Sequence, residues 1–251
     1  MVDFVGAGCG AEDLITVRGM RLLQSADVII YAGSLVNPEL LKYAKDGCEI
    51  HNSAEMTLDE IIETMRGAEA ANKHTVRLQT GDLSLYGALR EQADRLDELG
   101  IAYRVTPGVS SMFGASAALK AEYTLPAVSQ TVIITRMAGR TEVPDAESIE
   151  SLASHGATMV IFLSAGMTAE LSERLIKGGY APETPAAIVY KATWKDERVL
   201  RCTVGTLHET ANICGIKKTA LIIVGRVLAS DYELSKLYDR TFETGFRKAE
   251  K

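Results

Sequence analysis

Short runs of apolar, β-branched residues recur along the chain, and longer stretches with apolar positions spaced three and four apart separate them. The first kind of run fits a buried strand and the second a helix with one face on a core, so their alternation predicts an α/β protein. In the first half the strands are expected over Val2–Gly6, Asp27–Tyr31, His74–Gln79 and Tyr103–Thr106, with a weaker one near Cys48–His51. Helical periods fall near Asp13–Gln24, Pro38–Lys45, Leu58–Ala71 and Leu85–Leu99, the last followed by Gly100 as a C-cap.

The pattern starts again in the second half, with strands expected over Thr131–Thr135, Thr158–Leu163, Ala186–Tyr190, Val199–Thr203 and Ala220–Val224. Helices near Ala146–Ser154, Thr168–Lys177 and Thr206–Ile213 separate most of them. Only the short polar stretch Lys191–Arg198 lies between Ala186–Tyr190 and Val199–Thr203. That is too short for a parallel crossover and predicts an antiparallel pair. Two α/β domains follow, a parallel N-terminal sheet over residues 1–120 and a mixed C-terminal sheet over 121–251, joined near Leu125-Pro126. The tail Ser230–Lys251 is charged, without a strong apolar face, and is expected to be a surface helix with a frayed end.

Composition narrows the function. The 251 residues are 47% hydrophobic and 24% charged, enough for one large or two ordinary domains. No apolar run approaches the roughly 20 residues a membrane helix needs, and Met1–Gly6 lacks the basic start of a signal peptide. A cytoplasmic protein without membrane partners is expected. The net charge of −6 and the lack of a long basic run argue against nucleic acid as a partner. Four cysteines without a C-x-x-C pair and four scattered histidines suggest neither a disulfide framework nor a metal site.

Three glycine-rich turns carry the candidate chemistry. Gly6–Ala11 fits G-x-G-x-x-A and would by itself suggest NAD. Against that, Glu12 and Asp13 put carboxylates where a pyrophosphate would sit, and Ile30-Tyr31-Ala32-Gly33 lacks the acidic residue that holds a ribose. Thr80–Gly87 follows a strand, has no lysine and so is no P-loop; its amides, carbonyls and single carboxylate suit an adenosine with a sulfonium. Asp82 is a ligand-site candidate there, or simply a helix cap. Thr106–Ser111 opens a small-residue helix. Neither Gly108-Val109-Ser110-Ser111-Met112 nor Phe162-Leu163-Ser164-Ala165-Gly166 completes G-x-S-x-G, which speaks against a serine hydrolase.

Taken in order, Val2–Gly10 with Leu14-Ile15-Thr16, Gly81–Gly87, Thr106–Ser111 and Thr219–Gly225 resemble the tetrapyrrole, or class III, methyltransferases over nearly the whole chain. Tyr31–Pro38, Ser129–Arg136, Gly139–Pro144 and Ala157–Ser164 are most similar to the branch that methylates C11 of precorrin-4 or cobalt-precorrin-4 on the way to cobalamin. The resemblance implies S-adenosylmethionine as the cofactor, a homodimer, and a cofactor cleft between the two domains. By position it assigns cofactor contacts to Thr80, Gly81, Asp82, Leu85, Ser110, Ser111, Leu163, Ala192, Thr219 and Ala220, with Asp82 also the candidate catalytic group. The family's first loop usually reads G-x-G-P-G-D-P; here Cys9 stands for the proline and Ala11 for the aspartate.

A ring bearing many carboxylates calls for cations, and Arg136, Arg140, Lys191 and Lys195 are the candidates, with Arg18 and Arg90 behind them. Rival readings are methylation at the uroporphyrinogen-III or precorrin-3 step, a non-catalytic ring carrier, and an NAD-dependent oxidoreductase.

Overall fold

A computed structural model describes residues 1–229 and 233–249. It divides into two compact units, one of Met1–Ala115 with Lys191–Glu197, the other of Ser116–Tyr190 with Arg198–Lys251.

The first unit holds β1 (Val2–Gly6), β2 (Val28–Tyr31), β3 (Glu49–Asn52), β4 (Thr75–Gln79) and β5 (Tyr103–Thr106) in the order β3-β2-β4-β1-β5. All its pairings are parallel. Successive strand residues point to opposite faces, and both faces here are apolar. Phe4 and Ile30 join a core with Ile62, Met65 and Leu96 from α2 (Leu58–Ala70) and α3 (Leu89–Glu98), while Val5 and Ile29 join Leu23 of α1 (Val17–Ser25). A parallel sheet covered on both faces sends its carboxyl-end loops to one rim, where ligands of such sheets bind. β1 sits between β4 and β5, which puts the three glycine turns side by side.

In the second unit β6 (Val132–Arg136) runs parallel to β7 (Thr158–Phe162). Next come β10 (Ala220–Val224), β8 (Pro185–Tyr190) and β9 (Arg198–Thr203), each antiparallel to its neighbour. The sheet is therefore mixed, as expected. α5 (Ile149–Ala153), α6 (Thr168–Lys177) and α7 (Leu207–Ile213) contribute to its core.

Several expected helices are shorter than their periodicity. α1 starts only at Val17, where the Thr16 side chain accepts from the Gly19 amide, and Glu12–Leu14 is a separate 3₁₀ turn. Pro38–Tyr43 is 3₁₀ rather than α. α3 starts at Leu89 because Tyr86 and Ala88 hold positive φ, which interrupts a right-handed helix. The expected C-terminal helix over Ser230–Lys251 lies partly outside the described residues; within 233–249 only Lys236–Tyr238 is helical, as one 3₁₀ turn, since the segment has no apolar face to bury.

Candidate cofactor site

At the carboxyl rim of the first sheet, backbone meets backbone. A Cβ on Gly6 would lie 2.6 Å from both the Gly108 backbone and the Gly81 carbonyl, and one on Gly108 only 2.1 Å from that carbonyl. Glycine is therefore required at both positions for the β1, β4 and β5 turns to come together. The Gly8 amide donates to the Gly81 carbonyl at 3.2 Å and the Gly81 amide to the Gly8 carbonyl at 2.9 Å, an isolated antiparallel bridge that joins the two turns beyond the parallel strands.

Asp82 ties the rim together. Its Oδ2 accepts from the Gly108 amide at 2.8 Å and its Oδ1 from the Ser84 amide at 2.9 Å and the Ser84 hydroxyl. Burial pushes this carboxyl up, but the Ser84 and Gly108 donors outweigh it and hold it below the ordinary carboxylate range. Its oxygens are occupied by donors, which is the geometry of an anchor more than of a proton acceptor. Beside it, Gln79 Oε1 and Thr80 Oγ1 are buried without a hydrogen-bond partner. At the end of β4 these unpaired atoms call for a partner that donates to the Gln79 amide oxygen and either donates to or accepts from the Thr80 hydroxyl. Leu85 is half-buried, Ser110 is buried, and Ser111 opens α4 (Ser111–Leu119).

The segment 191–197 closes on the first turn. The Thr193 hydroxyl accepts from the Ala11 amide at 2.9 Å, and Asn37 Nδ2 donates to the Gly10 carbonyl at 2.8 Å. Trp194 covers Gly10 so closely that a Cβ there would lie 2.2 Å from the indole. Ala192 is buried between Lys191 and Thr193, both at positive φ. Such backbone strain in non-glycine residues concentrates at functional sites.

The second-unit candidates gather at one end of their sheet. Antiparallel pairing of β7 with β10 brings the end of β7, which Leu163 follows, and the start of β10 at Ala220 to the same side of the sheet, where Ala220 pairs with Tyr190 of β8. Leu163 and Thr219 both hold positive φ, and Leu163 is 66% exposed despite being apolar.

This arrangement does not suit a dinucleotide. Only the single 3₁₀ turn Glu12–Leu14, with two carboxylates of its own, follows Gly6–Ala11 before α1 begins at Val17, and the Ala11 amide is already bound by Thr193. Residues 1–208 match the family described as Tetrapyrrole (Corrin/Porphyrin) Methylases. The chain belongs to this family.

Among its relatives, the cobalt-precorrin-4 C(11)-methyltransferase of Methanocaldococcus jannaschii is 53% identical, covering 100% of this chain and 97% of that protein. The X-ray structure of a cobalt precorrin-4 methyltransferase, CbiF, superposes with a TM-score of 0.89 at 44% identity, covering 90% of this chain and 95% of that one. A uroporphyrin-III C-methyltransferase from Thermus thermophilus, solved with S-adenosyl homocysteine, gives a TM-score of 0.76 at 25% identity over 90% of this chain and 98% of that one.

For a tetrapyrrole methylase, the departure at Cys9 has a structural answer. Cys9 is buried, and burial pushes its thiol above the ordinary range although the Thr193 hydroxyl opposes the shift. Such a thiol is a packing group and a poor nucleophile. Of the expected substrate cations, Arg136 donates to the carbonyls of Met137, Thr141 and Glu142 at 3.1, 3.2 and 2.8 Å, so it shapes the loop that carries the exposed Arg140. Lys191 is paired with Asp196 at 2.7 Å and lies over the Trp194 ring, while Lys195 is exposed. Arg90 is paired with Asp94, and Arg18 is exposed on α1. Asn37 and Thr193 are the site residues that sequence reasoning missed. Asn37 lies inside the quoted Tyr31–Pro38 stretch, whereas Thr193 has no local signal, being 182 residues from its partner.

Proposed function

We propose that the protein transfers a methyl group from S-adenosylmethionine to C11 of precorrin-4 or cobalt-precorrin-4 in cobalamin biosynthesis. The observation that carries this reading is the close-packed rim of Gly6, Gly81 and Gly108, with the unpaired buried atoms of Gln79 and Thr80 at the end of β4, in a chain 53% identical to a protein of that activity. When bound, the cofactor supplies an electrophilic methyl on a positively charged sulfur. Thr80, Gly81, Asp82, Leu85, Ser110, Ser111 and Ala192 are the first-unit residues assigned to hold it. Ionised Asp82 fixes the turn that bears them and adds a negative charge near the rim. In-line displacement at a methyl needs alignment and exclusion of water more than a protein nucleophile. Asp82 is therefore assigned to positioning, and no residue to covalent catalysis.

Arg140 is assigned to a ring carboxylate, on a loop that Arg136 holds in shape. A homodimer and a cytoplasmic location belong to the same reading; no helix among the described residues is long and apolar enough to cross a membrane. The deciding experiment feeds labelled S-adenosylmethionine with each ring substrate and locates the label by NMR. Label at C11 is expected. Label at another ring carbon would move the activity to a different step, and binding of NAD without S-adenosylhomocysteine would remove the methyltransferase reading.

A further inference from the structure

The loop Gly6–Ala11 contains no proline, yet each of its turns is held. The Gly8 backbone is tied to Gly81 and the Gly10 carbonyl to Asn37, which leaves Cys9 and Ala11 to be fixed from elsewhere. One hydroxyl reaches both: Thr193 Oγ1 accepts from the Ala11 amide at 2.9 Å and donates to Cys9 Sγ at 3.5 Å. The space around that pair is full. A Cβ on Gly114 of α4 would lie 2.9 Å from Cys9 Sγ and 3.2 Å from Thr193 Cγ2.

Thr193 is itself costly to place. It is β-branched and sits at φ 70°, a conformation such residues rarely adopt. Its amide donates to Glu197 Oε2 at 2.6 Å, and Lys191 bonds Asp196 at 2.7 Å, so the segment is braced internally around it. The segment lies in sequence between two strands of the second unit but packs with the first.

We propose that Thr193 is a positioning residue that locks the Gly6–Ala11 loop, its hydroxyl supplying at Cys9 and Ala11 the rigidity that the loop's own sequence lacks. Through the same braced turn it fixes the neighbouring Ala192, a residue assigned to the cofactor. Thr193 acts through the loop and touches no reacting atom. The effect on cofactor affinity rests on the methyltransferase reading; the effect on Cys9 rests on the loop alone.

The test compares Thr193→Val, which keeps the shape and removes the hydroxyl, with Thr193→Ser, which keeps the hydroxyl. S-adenosylhomocysteine binding is measured by calorimetry, and Cys9 alkylation by iodoacetamide with peptide-resolved mass spectrometry. T193V is expected to weaken S-adenosylhomocysteine about tenfold, the scale of one buried hydrogen bond, and, although losing the hydroxyl donor leaves less of the thiol ionised, to alkylate Cys9 several-fold faster because the loosened loop exposes a buried group. T193S is expected to restore both. Unchanged Cys9 alkylation in T193V, or equal losses in T193V and T193S, would overturn the proposal. Should the parent protein fail to bind S-adenosylhomocysteine, the methyltransferase reading falls while the Cys9 rates still decide the role of Thr193. T193A serves the same comparison if T193V does not fold.

Discussion

At the residue scale, Asp82 and Arg140 have different jobs under the proposed function. Asp82 accepts three hydrogen bonds that join the β4 and β5 turns. In Asp82→Asn an amide NH₂ must face one of those donors, so S-adenosylhomocysteine affinity should fall about tenfold, the cost of one or two spoiled hydrogen bonds, while kcat at saturating cofactor stays within a few-fold. The reverse, unchanged affinity with kcat lost, would make Asp82 the proton acceptor. Arg140→Ala should raise KM for the ring substrate and leave S-adenosylhomocysteine binding alone; an unchanged KM would remove Arg140 from substrate recognition. The glycine turns were legible in the sequence because a turn leaving a strand must use residues suited to it. The jobs of Arg136 and Lys191 were not legible, because a cation's partners depend on which carbonyls and carboxylates the fold brings near. Arg136 found three carbonyls of its own loop, and Lys191 found Asp196.

Between elements, the amino end of the first sheet is stapled by one carboxylate. Asp3 on β1 is 1% exposed, accepts both nitrogens of the Arg104 fork from β5 at 2.9 Å, and meets His74 Nε2, just before β4, at 2.7 Å. Burial pushes the Asp3 carboxyl up, but the bonds from Arg104 and His74 prevail and hold it below its ordinary value. A carboxyl lowered in the native state stabilises the fold above its unfolded pKa of about 3.9, and that contribution is lost as pH falls through the lowered native value. Arg104→Gln should therefore shift the acid-unfolding midpoint, followed by circular dichroism, to higher pH. A midpoint that does not move would show the staple to be idle. The strands themselves were readable from apolar β-branched runs, and the boundaries of β1, β5 and β10 match the expectation. Helix starts were less readable. Periodicity carries on through Leu85–Ala88, but backbone at positive φ there does not, and nothing local forces Tyr86 and Ala88 into that conformation.

For the whole molecule, ligand binding should be felt as stability. S-adenosylhomocysteine at about one hundred times its Kd adds roughly 2.7 kcal/mol to the native state by mass action, which for a chain of this size raises Tm by roughly 5–10 °C. An unmoved Tm in calorimetry would mean that the native protein does not bind it. By itself the sequence determined the α/β class, the parallel and mixed sheets and the position of the glycine turns, because hydrophobic period, connection length and glycine's freedom at turns act within a few neighbouring residues. Only the tertiary structure decided that Lys191–Glu197 packs with the first unit, that Thr193 closes on Ala11 and Cys9, and that Asn37 holds Gly10. Each of those contacts joins residues far apart in the chain, and a hydrogen bond over 182 or 184 positions depends on how strands are ordered in space, which no local pattern records.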